Sequence, residues 1–289
     1  MAKELLKHFH SLTLLSENAE KLKGLILELA IKGKLTREWR KKNPNVEPAN
    51  ELLKKIQEEK QKQLGKNIIK ADKPLPKISE DEIPFVLPNI WKWERLGNLC
   101  EYIQRGKSPS YVDISSTPVI SQKCVQWSGF DISRARYIDS VSIGTYAEER
   151  FLKVDDLLWN STGDGTIGRV CLFPKLSYEK VVADSHVTIV RSFKNFILPR
   201  YLFIYTSSPS LQESLLVVAN MCGNGFFSTP AMQLCSNSSS LEDLTVPEAR
   251  ICSIVFIKNP PVPQAGSSTF SPSFGSTIST INCVAALGV

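Results

Sequence analysis

The stretch Leu157-Leu158-Trp159-Asn160-Ser161-Thr162-Gly163-Asp164-Gly165-Thr166-Ile167-Gly168-Arg169-Val170-Cys171-Leu172-Phe173-Pro174 decides the fold of this chain. The apolar run Leu157 to Trp159 leads into Gly163 to Gly168, which matches G-x-G-x-x-G, the glycine pattern of dinucleotide-binding units. Such a unit needs a helix next, because the helix amino terminus holds the pyrophosphate. Here Arg169 to Phe173 has the composition of a strand, and Pro174 ends it. The reading is therefore strand, tight glycine turn, strand, with no nucleotide site.

Outward from this stretch the texture stays β-like. Trp93 to Tyr102, Thr117 to Ile120 and His186 to Val190 are short apolar runs punctuated by Gly, Pro, Ser and Asp. A helix is predicted over Tyr201 to Thr206 with Pro199 in its first turn, and a second over Pro209 to Ala219. Toward the amino terminus, Pro74, Pro76, Pro84 and Pro88 make residues 71 to 90 an extended connector and place a domain boundary there. Ala49 to Leu64 reads as a helix with Leu52, Leu53 and Ile56 on one side. Before it, Leu15, Ala19, Leu22, Ile26 and Leu29 form a stripe at alternating steps of four and three, with Ser16 as the start and Gly33 as the stop. That stripe suits a partner helix, and equally the core of its own domain. From about residue 231 the only charged residues are Glu242, Asp243, Glu248, Arg250 and Lys258, so a poorly ordered tail is expected, with Ile251 to Ile257 a β-prone run able to pair.

Composition narrows the function. The 289 residues carry a net charge of +6, and residues 1 to 73 hold 17 Lys or Arg against 10 Asp or Glu, an excess of 17 − 10 = +7. Such a basic segment can meet phosphate, although a solvated helix face is its commoner origin. The amino terminus lacks a secretory pattern and no long uncharged apolar run occurs, so a cytoplasmic protein without a membrane partner is expected. Seven cysteines without a C-x-x-C pair point to reduced thiols, and three histidines are too few for a His-based metal centre. Asp184-Ser185-His186 juxtaposes the residue types of a hydrolytic triad, but neighbours on a strand face opposite ways. Asn259-Pro260-Pro261-Val262 approximates the N-P-P-aromatic motif of adenine methyltransferases, yet Val262 cannot stack on a base. No catalytic residue, cofactor or metal is expected.

What remains is the polar and aromatic content of the loops. Lys107, Ser108 and Tyr111, then Gln122, Lys123, Gln126 and Trp127, then Arg134 and Arg136, then Asn160, Ser161, Thr162, Thr166 and Arg169 are candidate DNA contacts. Amides and arginines read base edges, while cations and hydroxyls bind phosphate.

Several segments together carry a resemblance. Leu25 to Leu35, Pro48 to Leu53, Ile78 to Phe85 with Trp91-Lys92-Trp93, Thr117 to Cys124, Trp159 to Gly163, Gly165 to Arg169 and Asp184 to Arg191 resemble type I restriction-modification specificity subunits. The resemblance covers about residues 14 to 230 and implies an α+β fold. Residues 1–75 would be a helical, coiled-coil-like arm for pairing through Leu15, Ala19, Leu22, Ile26 and Leu29. Residues 76–230 would be a strand-rich target-recognition domain, and residues 231–289 an atypical tail, disordered or frameshifted. The implied function is non-catalytic recognition of one half of a bipartite site on double-stranded DNA, with docking of adenine methyltransferase subunits and, through them, the restriction subunit. Against the family pattern the chain reads as truncated after its first recognition domain. It would then work as a pair with a second copy of itself, or be a non-functional fragment. Asp164 stands where a neutral residue is expected and would repel phosphate. A reading from another class, a self-contained S-adenosylmethionine-dependent DNA methyltransferase, rests on the glycine and N-P-P matches alone, and a helical interaction protein without DNA contact is the third.

Overall fold

The computed structural model describes residues 16–70, 75–163, 165–213 and 252–254. Its middle layer is an antiparallel sheet in the order β2 (Cys100–Arg105), β11 (Val187–Ser192), β8 (Leu157–Asn160), β9 (Val170–Leu172). Strand side chains alternate between faces, and β8, β9 and β11 bury apolar side chains on both. Leu157, Trp159, Val170 and Val190 enter one hydrophobic cluster, whereas Leu158, Cys171, Val187 and Ile189 enter another on the opposite face.

The first cluster is completed by helices α1 (Ser16–Ile31), α3 (Ala49–Gly65) and α4 (Pro199–Thr206), with α2 (Arg37–Lys42) between the first two. The second is completed by Ile120, Cys124 and Val125 together with Phe173, Val181 and Ala183. On that side lie a mixed sheet in the order β10 (Val182–Ala183), β4 (Pro118–Ile120), β7 (Arg136–Ile138), β3 (Tyr111–Val112), and the hairpin of β5 (Val125–Gln126) with β6 (Gly129–Phe130). The chain is α+β, as the sequence pattern requires.

The glycine turn leads from β8 into β9, a strand and not a helix. The β-run from Trp93 is broken, however, by a 3-10 turn at Leu96–Asn98 between β1 (Trp93–Arg95) and β2. A side chain at Gly97 would fall 2.8 Å from Leu75 Cδ1, so the Leu75 side chain would have to shift to admit one. Residues 209–213 are helical, and the rest of the helix expected to Ala219 lies outside the described residues.

The arm shares its core with the strands. Leu27 and Ile31 of α1 and Leu52, Leu53 and Ile56 of α3 pack in one cluster with Leu99, Leu157 and Tyr201, so no break in packing falls at residue 75. Each fully buried aliphatic contributes about 1.5–3 kcal/mol. The side of α1 turned to the core carries Gly24, where a side chain would lie 3.0 Å from Pro209, and Glu28, whose carboxylate accepts from the Ser210 amide at 2.8 Å. Ala19, Leu22 and Ile26 are half-buried on the far side of the helix, Leu29 is buried, and Leu15 lies outside the described residues.

The proline connector is pinned rather than free. Arg95 donates to Glu82 at 2.8 and 2.9 Å and to the carbonyls of Pro76 and Lys77 at 3.1 and 3.2 Å. Glu82 also accepts from the Ser79 amide and hydroxyl, and these partners hold its carboxyl down to about 2. Of the tail, Cys252–Ile254 forms β12, antiparallel to β1 with Trp93 opposite Ile254. The remaining tail expectations, Asn259 to Val262 among them, fall outside the described residues, and so does Asp164.

Candidate nucleic-acid interface

Because the central sheet is antiparallel, one of its ends collects the carboxyl ends of β2 and β8 with the amino ends of β11 and β9. Residues 106–110, 121–127, 161–163, 165–169 and 184–186 gather there. Backbone hydrogen bonds fix them: Gly106 to the Val187 carbonyl at 2.9 Å, Lys107 to Ala183 at 3.1 Å, Ser161 to His186 at 3.1 Å, and Gly168 to Asn160 at 3.0 Å. At Gly106 a side chain would sit 2.2 Å from the carbonyl oxygens of Ala183 and Asp184, which makes glycine obligatory. Gly163, Gly165 and Gly168 all have positive φ, and that set of left-handed residues closes the turn between β8 and β9.

Asp184-Ser185-His186 is the junction of this end. The buried Asp184 carboxylate accepts from the His186 amide at 2.9 Å and from the Tyr111 hydroxyl at 3.3 Å, and burial pushes its pKa up. Ser185 and Ser108 hydroxyls are 2.8 Å apart. His186 Nδ1 lies 2.7 Å from the Thr162 hydroxyl. The tripeptide organises neighbouring loops, and its Asp and His side chains bond to other residues rather than to each other.

The expected site residues divide into three groups. Lys107, Ser108 and Arg136 are exposed, and aromatic rings back both cations: Lys107 Nζ stands 5.4 Å over Tyr146, and the Arg136 guanidinium 3.6 Å over the half-buried Tyr111. Such stacking holds a long side chain in place without consuming its hydrogen-bond donors. Lys123, Trp127 and Arg134 are also exposed, Trp127 at 57% in the β5–β6 turn, while Arg134 pairs with Asp131 at 2.7 Å.

The third group is internal. Gln126 and Arg169 bond to each other at 2.9 Å, Thr166 bonds Gln122 at 2.9 Å, and Ser161 accepts from Thr188 at 2.9 Å. Asn160 is fully buried and Thr162 is 8% exposed, so these two expected base contacts are enclosed within the loops as folded. Their buried polar atoms serve the loops instead. Sequence reasoning left Asp184, Ser185, His186 and Tyr146 out of the site; the first three sat inside a segment already singled out, but Tyr146 meets Lys107 only through tertiary packing.

Cys100, Cys124 and Cys171 are free and buried, and burial pushes their thiols up, Cys171 to about 12, so none supplies a thiolate. Among the described residues no His, Cys, Asp or Glu cluster could hold a metal, and no helix is long and apolar enough to cross a membrane.

These features define a class: an α+β module whose helices and strands share a core and whose sheet presents a polar, cation-bearing set of loops at one end. By sequence the chain is a relative of the type I restriction enzyme specificity subunits. It is 31% identical over 198 residues to the EcoAI specificity subunit of Escherichia coli, covering 68% of this chain and 32% of that protein. It is 40% identical over 104 residues to the EcoEI specificity subunit of the same species, covering 36% of this chain and 17% of that one. The matched region thus spans about a third or less of these relatives' length. No family model matches. The crystal structure of the HsdS subunit from Thermoanaerobacter tengcongensis aligns with 66% of this chain and 41% of its own at a TM-score of 0.34 and 17% identity.

Proposed function

We propose that this chain is a non-catalytic DNA sequence-recognition subunit of a type I restriction-modification complex, reading one half of a bipartite site while adenine-methylating partners perform the chemistry. The observation that carries the reading is the gathering of Lys107, Ser108, Lys123, Trp127 and turn residues 161–163 and 165–169 at one end of the central sheet, in a chain similar to specificity subunits over 68% of its length. Cations there supply sequence-independent phosphate affinity, and polar side chains among them supply discrimination. The half-buried Ala19, Leu22 and Ile26 supply an apolar flank for helix pairing, with the methylating subunit or with a second copy of this chain.

Two copies related by a two-fold axis would present two recognition modules to a palindromic site. The test is duplex binding by the full chain, with and without its methylating subunits, across a salt series. The expected result is sequence-selective binding whose affinity falls steeply with salt. Equal affinity for all sequences, or none, overturns the reading. Sedimentation that shows a monomer at every concentration removes the paired arrangement.

A further inference from the structure

At the loop end of the central sheet two turns meet with their polar groups interlocked. Asn160 donates from Nδ2 to the Gln122 carbonyl at 3.0 Å, Thr166 donates its hydroxyl to Gln122 Oε1 at 2.9 Å, and Arg169 donates to Gln126 Oε1 at 2.9 Å. Each of these bonds crosses from residues 160–169 to residues 122–126, so three side chains brace the two turns into one body. Gly163 makes the room: a side chain there would lie 2.0 Å from Gln122 Oε1, at a φ of +108° that L residues rarely adopt.

Three side-chain amides stand in these turns, and they are not equivalent. Asn160 is wholly buried, with one of its two N–H donors on the Gln122 carbonyl, so it cannot reach a base. Gln126 is tied at both ends, Oε1 to Arg169 and Nε2 to the Lys123 carbonyl at 2.7 Å. Gln122 is half-buried and tied by its oxygen alone, and its Nε2 has no partner among the described residues. A primary amide carries its oxygen and its two N–H donors on diverging bonds from one carbon. Fixing Oε1 against Thr166 therefore orients the remaining donors without consuming them.

We propose that Gln122 is a base-reading side chain of this interface, offering Nε2 to an acceptor edge such as purine N7, guanine O6 or thymine O4, with Thr166 as its positioning residue and Asn160 as the strut beneath its backbone. This rests on the recognition reading and deepens it. An amide already held at its oxygen gives up less rotamer freedom on binding, which is how a single side chain discriminates with little loss of affinity.

The experiment is enrichment of duplexes from a randomised pool by the full chain assembled with its adenine-methylating subunits. Gln122→Ala and Thr166→Val are expected to relax one and the same base position by about tenfold while the salt dependence stays at the wild-type slope. Thr166→Ser, which keeps the hydroxyl, restores the preference. Gln122→Glu exchanges donors for acceptors and is expected to move that position toward a base with an exposed amino group, cytosine or adenine. The assignment is overturned if Gln122→Ala and Gln122→Glu keep wild-type selectivity, or if Thr166→Val relaxes no position or a different one. A wild-type complex that enriches no sequence overturns the recognition reading itself, a distinct result.

Discussion

The two ends of the central sheet treat their polar groups in opposite ways. At the end opposite the loops, Arg191 is buried with Asp156, donating to it at 2.8 and 2.7 Å and to the carbonyls of Glu149 and Phe151 at 3.1 and 2.9 Å. Asp156 also accepts from the Lys153 amide at 2.8 Å. At the loop end, Asn160 Oδ1 and Arg169 Nε are buried without a partner among the described residues. One end is saturated and closed to solvent chemistry. The other turns Lys107, Ser108, Lys123 and Trp127 out to solvent, where they are free to meet something else.

The sharpest way to break this contrast is to open the saturated end. Replacing Arg191 by Leu leaves the Asp156 carboxylate buried and uncompensated, which costs about 3–5 kcal/mol. The urea midpoint of the full chain should fall accordingly. A loss below about 1 kcal/mol would show that this end is no more sealed than the other.

Removing the Asn160 strut should cost less, because Asn160→Ala deletes one hydrogen bond together with an acceptor that was itself unsatisfied; about 1 kcal/mol is expected by the same melts. If Asn160→Ala were as damaging as Arg191→Leu, the loop end would be a structural core and not a reading surface.

This difference was only partly legible in the sequence. The turn between Leu157 and Phe173 announced itself through glycine and proline, and the strands around it through short apolar runs, because those signals are local. Asn160 and Thr162 look like any loop amide and hydroxyl, and their burial depends on Gln122 and His186, respectively 38 and 24 residues away. The inward face of α1 was ambiguous for a related reason. Gly24 and Glu28 carry no hydrophobic signal, yet Pro209 and Ser210 dock on them. The pairing of Lys107 with Tyr146 and of Arg136 with Tyr111 likewise arises only once separate strands meet.

Protonation distinguishes the ends by sign. Glu82, beside Arg95 near the saturated end, has its carboxyl lowered from 4.5 to about 2, so its contribution is present above about pH 4.5 and lost as pH falls toward 2. Glu82→Gln should flatten the acid limb of the stability curve in that window. Asp184 at the loop end is raised by burial, so its contribution is present below the ordinary Asp range and is lost as pH rises through the elevated value. Asp184→Asn should flatten the slope above pH 4, the opposite limb. Matching slopes from both variants would erase the distinction.

The smallest stability effect belongs to the exposed cations, and it separates folding from binding most directly. Lys107→Ala and Arg136→Ala remove charges that stand on Tyr146 and Tyr111 at the surface, so each should change stability by no more than about 0.5 kcal/mol. If these cations meet phosphate, each variant should also lower the slope of log affinity against log salt by about 1, uniformly across DNA sequences. The ring beneath each cation sharpens the test. Lys107→Gln keeps part of the stem on Tyr146 but loses the charge, so it should reproduce the salt slope of the alanine variant. A Lys107→Gln slope equal to wild type would mean that packing on Tyr146, and not charge, is what Lys107 supplies at this end of the sheet.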